Sequence, residues 1–196
     1  MVAVRVHGME IKVHWVEIPT PLPTGPVRLA LTDQGVLGAS FADGDMLQQS
    51  RGGDAAPEGD ERAARVAARV GEYFAGRRRA FELPLDWRWT DGVQRQVLQT
   101  LERNVAYGHT VTYGQLAARS GAFEQEVEQH LAARAVGQIM GSNPLFLLVP
   151  CHRVVAADGL GGFGGGEAGM AVKRWLLTLE GVLPPTLDWD GPDVPA

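Results

Sequence analysis

The sequence predicts an α/β N-terminal part, a small sheet plus one helix, followed by a mainly α-helical C-terminal part. Up to residue 41 the apolar residues follow strand-like patterns, whereas after residue 89 they recur at helical spacing. The chain has 196 residues, 45% of them apolar, which is enough to bury an ordinary core. We therefore expect an N-terminal domain over 1–88, a C-terminal domain over 89–184 and a Pro-rich tail over 185–196.

The strands of the predicted sheet lie at the start of the chain. Residues 11–18 alternate roughly between apolar and polar side chains, as a half-buried strand does. Residues 27–32 then lead through a turn ending at Gly35 into residues 36–41. Two such runs joined by a short segment with glycine are typical of a β-hairpin.

The helix of the N-terminal part is predicted over residues 61–74, where Val66 and Val70 recur at helical spacing. Residues 44–60, rich in Gly, Asp and Ala, precede it and predict a mobile loop. Residues 76–89 follow it and are typical of a linker.

Three helices are predicted in the C-terminal part. The first covers residues 92–103, the second runs from Thr112 to Ser120 with Gly121 as its stop, and the third covers residues 124–140. A helix pair joined near Gly121 is compatible with a helix-turn-helix, although many such pairs in globular proteins serve only as packing units.

Cys151 is the only cysteine, so the chain cannot close an intramolecular disulfide or supply a multi-cysteine zinc site. The apolar residues 145–149 predict a buried strand that Pro150 breaks, which would deliver the thiol to the edge of the core. A thiolate attacks far better than a thiol, and nearby positive groups lower the thiol pKa. His152 and Arg153 supply such groups, so the pattern indicates an activated nucleophile, with simple packing as the alternative.

Two further features surround this cysteine in the sequence. Glu180, after the helical segment 171–179, is a candidate for the acid that orients His152, although a glutamate at a helix end is more often solvated. The glycine-rich residues 159–169 around Phe163 suit close approach of backbone to a flat ligand, or form a plain surface loop. They lack the Gly-Lys-Ser/Thr ending of a P-loop, which argues against nucleoside triphosphate binding.

The overall charge and hydropathy argue against two classes of protein, those that coat nucleic acid and those that span a membrane. A formal charge of -5 and a pI near 5.5 argue against a protein that coats nucleic acid by bulk charge, although a local basic surface remains compatible with an acidic chain. The sequence contains no long uncharged apolar run and no signal peptide pattern. We therefore expect a soluble, cytoplasmic protein that does not associate with a membrane.

Several short runs at specific spacing carry a resemblance to a known family. They are TYGQLA at 112–117, RAVG at 134–137, NP at 143–144 and PCHRV at 150–154, with Lys173, Trp175 and Glu180 downstream. Over roughly residues 92–182 the chain resembles the O6-alkylguanine-DNA alkyltransferases, also called methylated-DNA–protein-cysteine methyltransferases.

This resemblance implies a fold and an activity. The implied fold is a ribonuclease-H-like α/β domain followed by a helical domain that carries a winged-helix-like helix-turn-helix. The implied activity is direct reversal of DNA damage, in which the alkyl group of O6-alkylguanine passes irreversibly to the protein, once per molecule. The implied partner is double-stranded DNA whose damaged nucleotide is flipped out of the helix. The resemblance further implies a monomer without a metal or organic cofactor.

The resemblance also implies roles for residues at the reacting centre. Cys151 would accept the alkyl group, and His152 would deprotonate it through a water. Glu180 would orient His152, and Asn143 would support the turn that holds Cys151. Tyr113 would lie beside the extruded base and donate a proton to the departing guanine.

A second set of implied residues contacts DNA and the base. Arg134 would fill the gap left by the rotated nucleotide, from a recognition helix that enters the minor groove and also contains Ala135 and Gly137. The main-chain carbonyl groups of Cys151 and Val154, with the amide of Gly164, would read the edge of the base.

The chain departs from the family pattern in two places. The turn before Arg134 is extended and acidic over residues 122–131, and its glutamates would repel phosphates unless they are turned away or paired. Phe163 stands where many relatives have tyrosine, and Gly164 where a hydroxyl residue is common. Main-chain contact to the base is then expected in place of side-chain hydrogen bonds.

Two other functions remain as alternatives. One is a noncatalytic, alkyltransferase-like protein that grips alkylated bases, but such proteins lack the acceptor cysteine. The other is a cysteine hydrolase that uses Cys151 and His152 for repeated turnover. Within the transferase interpretation, the preferred adduct size and the acceptance of O4-alkylthymine stay open.

Overall fold

The computed structural model describes residues 3–6, 9–41, 53–123, 128–164 and 166–194. The strands are β1 (Ala3–Val6), β2 (Met9–Lys12), β3 (His14–Ile18), β4 (Val27–Leu31), β5 (Val36–Phe41), β6 (Asp54–Ala55), β7 (Val111–Thr112) and β8 (Val154–Val155). The α-helices are α1 (Glu61–Phe74), α2 (Gly92–Asn104), α3 (Tyr113–Ser120), α4 (Gln129–Gly141) and α5 (Gly166–Leu179). This is the mixed α/β arrangement that the sequence predicts, with the larger sheet first and most helices after it.

The main sheet has the strand order β5-β4-β3-β6, and among the described strands of this sheet only β6 runs parallel to its neighbour. The predicted hairpin is confirmed, because β4 and β5 pair antiparallel and the Thr32 amide donates to the Gly35 carbonyl at 2.9 Å. A Cβ atom at Gly35 would lie 2.2 Å from the Pro84 carbonyl oxygen. Glycine is therefore required at this turn by the close approach of the linker.

The predicted alternation over residues 11–18 is interrupted. The chain forms two strands there, because β2 pairs with β1 whereas β3 pairs with β4 in the main sheet. Val13, His14 and Trp15 are all buried, so the in-out pattern fails where the chain passes from one sheet to the other. The predicted mobile loop over 44–60 falls partly on residues 42–52, outside the described residues, and its later part contains β6.

Helix α1 coincides with the predicted helix. Asp60 caps its start, accepting hydrogen bonds from the amides of Arg62 at 2.8 Å and Ala63 at 3.3 Å. Its apolar face, which includes Val70 and Tyr73, is buried toward β3 and the core. This face brings Tyr73 toward the C-terminal part of the chain.

The predicted helices of the C-terminal part are also present, with shifted ends. Thr112 caps α3 through a capping box with Gln115, and Gly121 ends it in the left-handed conformation at φ 61°. The third predicted helix is described only from Gln129 onward, since residues 124–127 lie outside the described residues. The last helix, α5, starts at Gly166 and so before the predicted residue 171.

The prediction of a strand over residues 145–149 is wrong. This segment is buried but folds into consecutive turns, in which the Val149 amide donates to the Leu145 carbonyl at 2.8 Å. Leu147 lies at φ 71°, which interrupts any extended conformation. A continuous apolar run reports burial but does not distinguish a strand from a buried turn.

One continuous apolar core joins both parts of the chain. The rings of Phe41 in β5 and Phe146 in the buried turns lie 4.5 Å apart, and the Ala39 amide donates to the Pro144 carbonyl at 2.7 Å. In the predicted tail, Trp189 packs on Trp175 of α5 with ring centroids 5.0 Å apart. No helix among the described residues is both long and apolar enough to span a membrane.

Candidate active site

Cys151 begins a short 3-10 turn, Cys151–Arg153, which leads directly into β8. Because β8 pairs in parallel with β7, the start of α3 is drawn toward the cysteine. The thiol-bearing residue is 5% exposed. The structure thus holds Cys151 at the edge of the core, where the sequence predicts it, although turns rather than a strand deliver it.

Asn143 holds the segment before the cysteine. Its side-chain amide donates to the Val149 carbonyl at 3.0 Å, and its side-chain oxygen accepts from the Leu145 amide at 3.0 Å. The residue is itself buried, so both bonds are shielded from water. These bonds close the turns that end at Cys151.

A cavity of about 400 Å³ opens in front of Cys151, between α4, the start of α3 and the glycine-rich loop. Its lining includes six of the residues singled out from the sequence: Tyr113, Arg134, Gly137, Cys151, Phe163 and Gly164. The Tyr113 hydroxyl donates to the Gly162 carbonyl at 3.2 Å across the mouth of the loop. Aromatic walls and exposed main chain suit a flat, polar-edged ligand.

Behind Cys151, His152 and Glu180 form a buried pair. The His152 Nε2 atom lies 2.9 Å from the Glu180 Oε1 atom, and the histidine is 0% exposed. Among the described residues, His152 Nδ1 has no hydrogen-bond partner. With Nε2 engaged by the carboxylate, Nδ1 is the nitrogen left to take up a proton.

Glu180 also binds Arg153. The Arg153 Nε atom lies 2.9 Å from Glu180 Oε2, its NH2 atom lies 2.9 Å from Oε1, and its NH1 atom donates to the Val105 carbonyl at 2.7 Å. The Gly108 amide adds a longer bond to Oε2 at 3.3 Å. A bidentate guanidinium pair of this kind fixes the carboxylate in both position and charge.

The ionisation of these groups follows from burial and from that pairing. Burial alone would raise the pKa of Glu180, but the charges and hydrogen bonds of His152 and Arg153 hold its pKa well below the usual range. Burial lowers the pKa of His152, against the pull of Glu180. The imidazole is therefore neutral near pH 7 and able to act as a base.

The thiol differs from the sequence-based expectation. Burial raises the pKa of Cys151, although a hydrogen bond with Asn143 and the charge of Lys173 act in the opposite direction. His152 and Arg153, expected to lower the thiol pKa, both direct their side chains to Glu180 instead. Cys151 is thus a protonated thiol at neutral pH, and a nucleophilic role would require a base.

Lys173 fastens the glycine-rich loop. Its ammonium group is buried and donates to the carbonyl groups of Val154 at 2.7 Å, Leu160 at 2.6 Å and Gly162 at 3.2 Å. Burial lowers the pKa of Lys173 to about 8. Gly169 allows α5 to pack closely against the same loop, since a Cβ atom at this position would lie 1.7 Å from the Gly164 carbonyl oxygen.

The remaining residues singled out from the sequence have other positions. Ala135 is half-buried on α4 and is outside the cavity lining. Val154 is buried in β8, and its carbonyl oxygen already accepts from Lys173. In the acidic extension, residues 124–127 lie outside the described residues, and the exposed Glu128 lies 3.2 Å from His130 Nδ1.

Sequence reasoning missed two contributors to this site. Lys173 matches the family pattern without an assigned role, and Tyr73, whose hydroxyl donates to Glu180 at 2.6 Å, lies in the predicted helix 61–74 with no predicted role at the site. A lysine inside an apolar helix face is a signal that was available for the first. Nothing in the pattern of α1 distinguishes Tyr73 from its apolar neighbours.

Comparison with known proteins supplies the family. Residues 92–182 match the profile of the 6-O-methylguanine DNA methyltransferase DNA-binding domain. The chain is 39% identical over 172 residues to a DNA base-flipping protein of Thermus thermophilus, covering 85% of this chain and 99% of that one. It is 33% identical over 160 residues to a methylated-DNA–protein-cysteine methyltransferase of Methanosarcina acetivorans, covering 81% and 94%.

A solved structure agrees with these sequence relatives. The fold superimposes on Mycobacterium tuberculosis OGT in complex with DNA with a TM-score of 0.70 and 35% identity, covering 86% of this chain and 92% of that one. The match therefore extends over the sheet as well as over the helices that surround Cys151. The chain belongs to the methylated-DNA–protein-cysteine methyltransferase family.

Proposed function

We propose that this protein repairs double-stranded DNA by moving the alkyl group of O6-alkylguanine to Cys151, irreversibly and once per molecule. One observation carries the proposal: the single thiol faces a cavity for a flat ligand and has a buried histidine–glutamate pair behind it. The names of the relatives support the same reaction.

The chemistry balances without a cofactor. His152 Nδ1 takes the thiol proton through a water, and the sulfur attacks the alkyl carbon. A sulfur–carbon bond forms, the carbon–O6 bond breaks, and its electron pair leaves with guanine, which a proton from Tyr113 neutralises. The imidazolium then releases its proton to solvent and the Tyr113 phenolate takes one up, which restores both groups. Glu180 keeps His152 in the tautomer that this transfer needs. The thioether product has no leaving group, so the acceptor is consumed.

Base recognition follows from the cavity wall. The O6 alkyl carbon of a stacked guanine is beyond the reach of a buried thiol, so the nucleotide has to leave the duplex, at a cost of a few kcal/mol. Arg134 is exposed on α4 at the cavity edge, in a position suited to occupy the vacated space. Phe163 and the main chain at Gly164 would then hold the extruded base.

Several finer points belong to the same proposal. Helices α3 and α4 pack together and would act as a winged-helix-like helix-turn-helix, with α4 in the minor groove. The N-terminal sheet with α1 would form a ribonuclease-H-like domain over 1–88, before a DNA-binding domain over 89–184. The protein would work in the cytoplasm as a monomer.

A damage sensor is the second candidate. The Thermus thermophilus relative, matched over nearly its whole length, is named a DNA base-flipping protein rather than a transferase. The raised pKa of Cys151 would also suit a site that binds a base without attacking it. The buried His152–Glu180 pair favours the transferase, because a binding site alone has no use for a base behind the thiol.

The deciding experiment mixes the protein with duplex DNA that contains one O6-methylguanine and records the intact protein mass. The transferase gains about 14 Da, one methyl group, whereas Cys151→Ala gains nothing and still binds the duplex. Tight binding of the damaged duplex without any mass gain in the unmodified chain would overturn the transferase in favour of the sensor. Repeated release of product from an ester would instead indicate the hydrolase.

A further inference from the structure

Tyr73 links α1 to the acid behind the nucleophile. It is 0% exposed, and its hydroxyl donates to Glu180 Oε1 at 2.6 Å, across a separation of 107 residues in the sequence. Phe81 and Tyr107 pack around its ring at centroid distances of 4.6 Å and 6.0 Å. The ring therefore has little freedom to turn its hydroxyl away from the carboxylate.

The acceptor atom of this bond is shared. Glu180 Oε1 also receives His152 Nε2 at 2.9 Å and the Arg153 NH2 atom at 2.9 Å. Donors on one oxygen compete for the same electron density, so each weakens the hold of the others. The Tyr73 bond is the shortest of the three and thus draws density away from the bond to His152.

We propose that Tyr73 is a positioning residue of the alkyl-transfer reaction, whose hydroxyl sets how strongly Glu180 holds the imidazole of His152 and so how readily that imidazole exchanges a proton. The idea rests on the proposed function for its kinetic consequences. Its structural part, a tyrosine that tunes a buried histidine through a shared carboxylate, holds independently of that function.

The hydroxyl acts as a constant dipole across the working pH range. Burial and the charge of Glu180 raise the pKa of Tyr73 well above its ordinary value, so it remains a neutral donor. Removing the donor leaves the carboxylate more basic and its bond to His152 stronger. The imidazolium is then stabilised, and the pKa of His152 rises.

Two cations near the His152–Glu180 pair oppose a rise in the pKa of His152 but do not replace the Tyr73 hydroxyl. Burial lowers the pKa of His152, Glu180 raises it, and the charges of Arg153 and Lys173 lower it further. Tyr107 lies next to the cluster, and burial followed by the charge of Glu180 raises its pKa, so it is neutral as well. The Arg79 guanidinium lies 5.8 Å from the Tyr107 ring.

Tyr107 provides a matched control for Tyr73. Its hydroxyl donates to the Leu179 carbonyl at 2.7 Å, and its ring packs against Tyr73 itself. Tyr107→Phe therefore removes one hydrogen bond from the same cluster without touching the carboxylate of Glu180. A purely structural contribution of Tyr73 would make the two phenylalanine variants behave alike.

The experiment follows two quantities in the unmodified chain, Tyr73→Phe and Tyr107→Phe. The first is the rate of methyl transfer from an O6-methylguanine duplex between pH 5 and 8, read by intact mass. The second is the pKa of the His152 imidazole in the protein without DNA, read by NMR of labelled histidine and assigned with His152→Gln.

For Tyr73→Phe we expect the His152 pKa and the acidic limb of the rate profile to move up by about one pH unit. At any pH on the acidic limb of the unmodified chain the rate then falls roughly severalfold, while the rate at pH 8 stays within about twofold. Tyr107→Phe should leave both midpoints where they are.

Equal losses of rate in both variants at every pH, with an unmoved His152 pKa, would overturn the proposal and leave Tyr73 a packing residue. Absence of methyl transfer in the unmodified chain would instead count against the proposed function. The NMR titration still decides the tyrosine in that case: a raised His152 pKa in Tyr73→Phe supports the link, and an unchanged pKa refutes it.

Discussion

The two sides of Cys151 differ in how they are built. The relay side, made of Tyr73, His152, Arg153 and Glu180, is buried, and its hydrogen bonds join α1, the 3-10 turn and the end of α5. The cavity side, made of Tyr113, Arg134 and the loop around Phe163, is open to a ligand and is held mainly through main-chain contacts. Proton transfer needs fixed geometry, whereas admission of a base needs space.

This contrast predicts different kinds of damage from substitutions on each side. Changes on the relay side should impair chemistry and folding together, because each group there is buried and shared. Changes to side chains that line the cavity should impair the handling of DNA and leave the fold largely intact, whereas Lys173, which anchors the loop from inside the core, should affect both. Four measurements test the division.

The largest effect is expected for Glu180→Gln. The amide would place a donor against Arg153 and leave that buried guanidinium without its counter-charge, which destabilises folding by roughly 3 to 5 kcal/mol. Methyl transfer should slow by at least about a hundredfold, because His152 loses its orienting acid. Denaturant unfolding and single-turnover mass measurements read the two losses.

Glu82→Gln is the control for that variant. Glu82 pairs with Arg69 and Arg78, but its side chain is 65% exposed, so its loss should leave the midpoint of denaturant unfolding nearly unchanged. Similar destabilisation in both variants would break the distinction between the relay side and an ordinary surface ion pair.

Lys173→Met should have the next largest effect. It removes the donor to three carbonyl groups that hold the glycine-rich loop, which costs about 2 kcal/mol of stability and loosens the cavity wall. Affinity for damaged duplex should fall with it in a gel-shift assay. The exposed neighbour Arg174→Met should change neither quantity, and an equal loss there would show that charge rather than the clamp matters.

Arg134→Ala sharpens the comparison from the cavity side. Transfer from an O6-methylguanine duplex should slow by about tenfold or more, because the space left by the extruded nucleotide is no longer filled. Transfer from the free base O6-benzylguanine should be unchanged, and unfolding should shift by less than about 0.5 kcal/mol. Arg65→Ala, an exposed arginine on α1, is the control. Equal slowing with the free base would show that Arg134 acts in the chemical step and not in DNA handling.

The smallest effect concerns pH. Burial lowers the pKa of His152 below its usual 6.5, so the neutral imidazole persists as the solution is acidified through that value. The transfer rate should therefore change by less than about twofold between pH 7.5 and 6.5 and decline only below that range. A transfer rate that has already fallen to its lower limit at pH 6.5 would show that His152 is more solvated than its burial on the relay side implies.

Much of the fold was predictable because local signals agreed with tertiary packing. The hairpin of β4 and β5 follows from apolar runs joined by a turn glycine, and α1 follows from apolar periodicity. The error at 145–149 has a different origin. Burial on all sides removes periodicity, and the bonds that bend this segment come from Asn143, a side chain outside the apolar run.

The resemblance, more than any local pattern, singled out residues that the structure brings together around Cys151. Periodicity alone favoured a solvated Glu180, because a position after the last turn of a helix is usually exposed. Its burial depends on Tyr73 and Arg153, which reach it from distant parts of the chain. Such long-range convergence leaves no mark in local sequence, and the raised pKa of Cys151 likewise depends on burial that only the folded chain reveals.

The grip of Lys173 on its loop bears on how this cavity can diversify. The ammonium group donates its three hydrogen bonds to main-chain carbonyl oxygens, which every residue type supplies, so substitutions at Leu160 or Phe163 leave these bonds available. A substitution at Phe163 removes only the ring that lies 5.9 Å from the ammonium group. Side chains that face the ligand can thus be exchanged while the loop keeps its anchor. Libraries randomised at such positions should yield acceptors for larger adducts without losing the fold, because the residues that anchor the loop differ from those that contact the ligand.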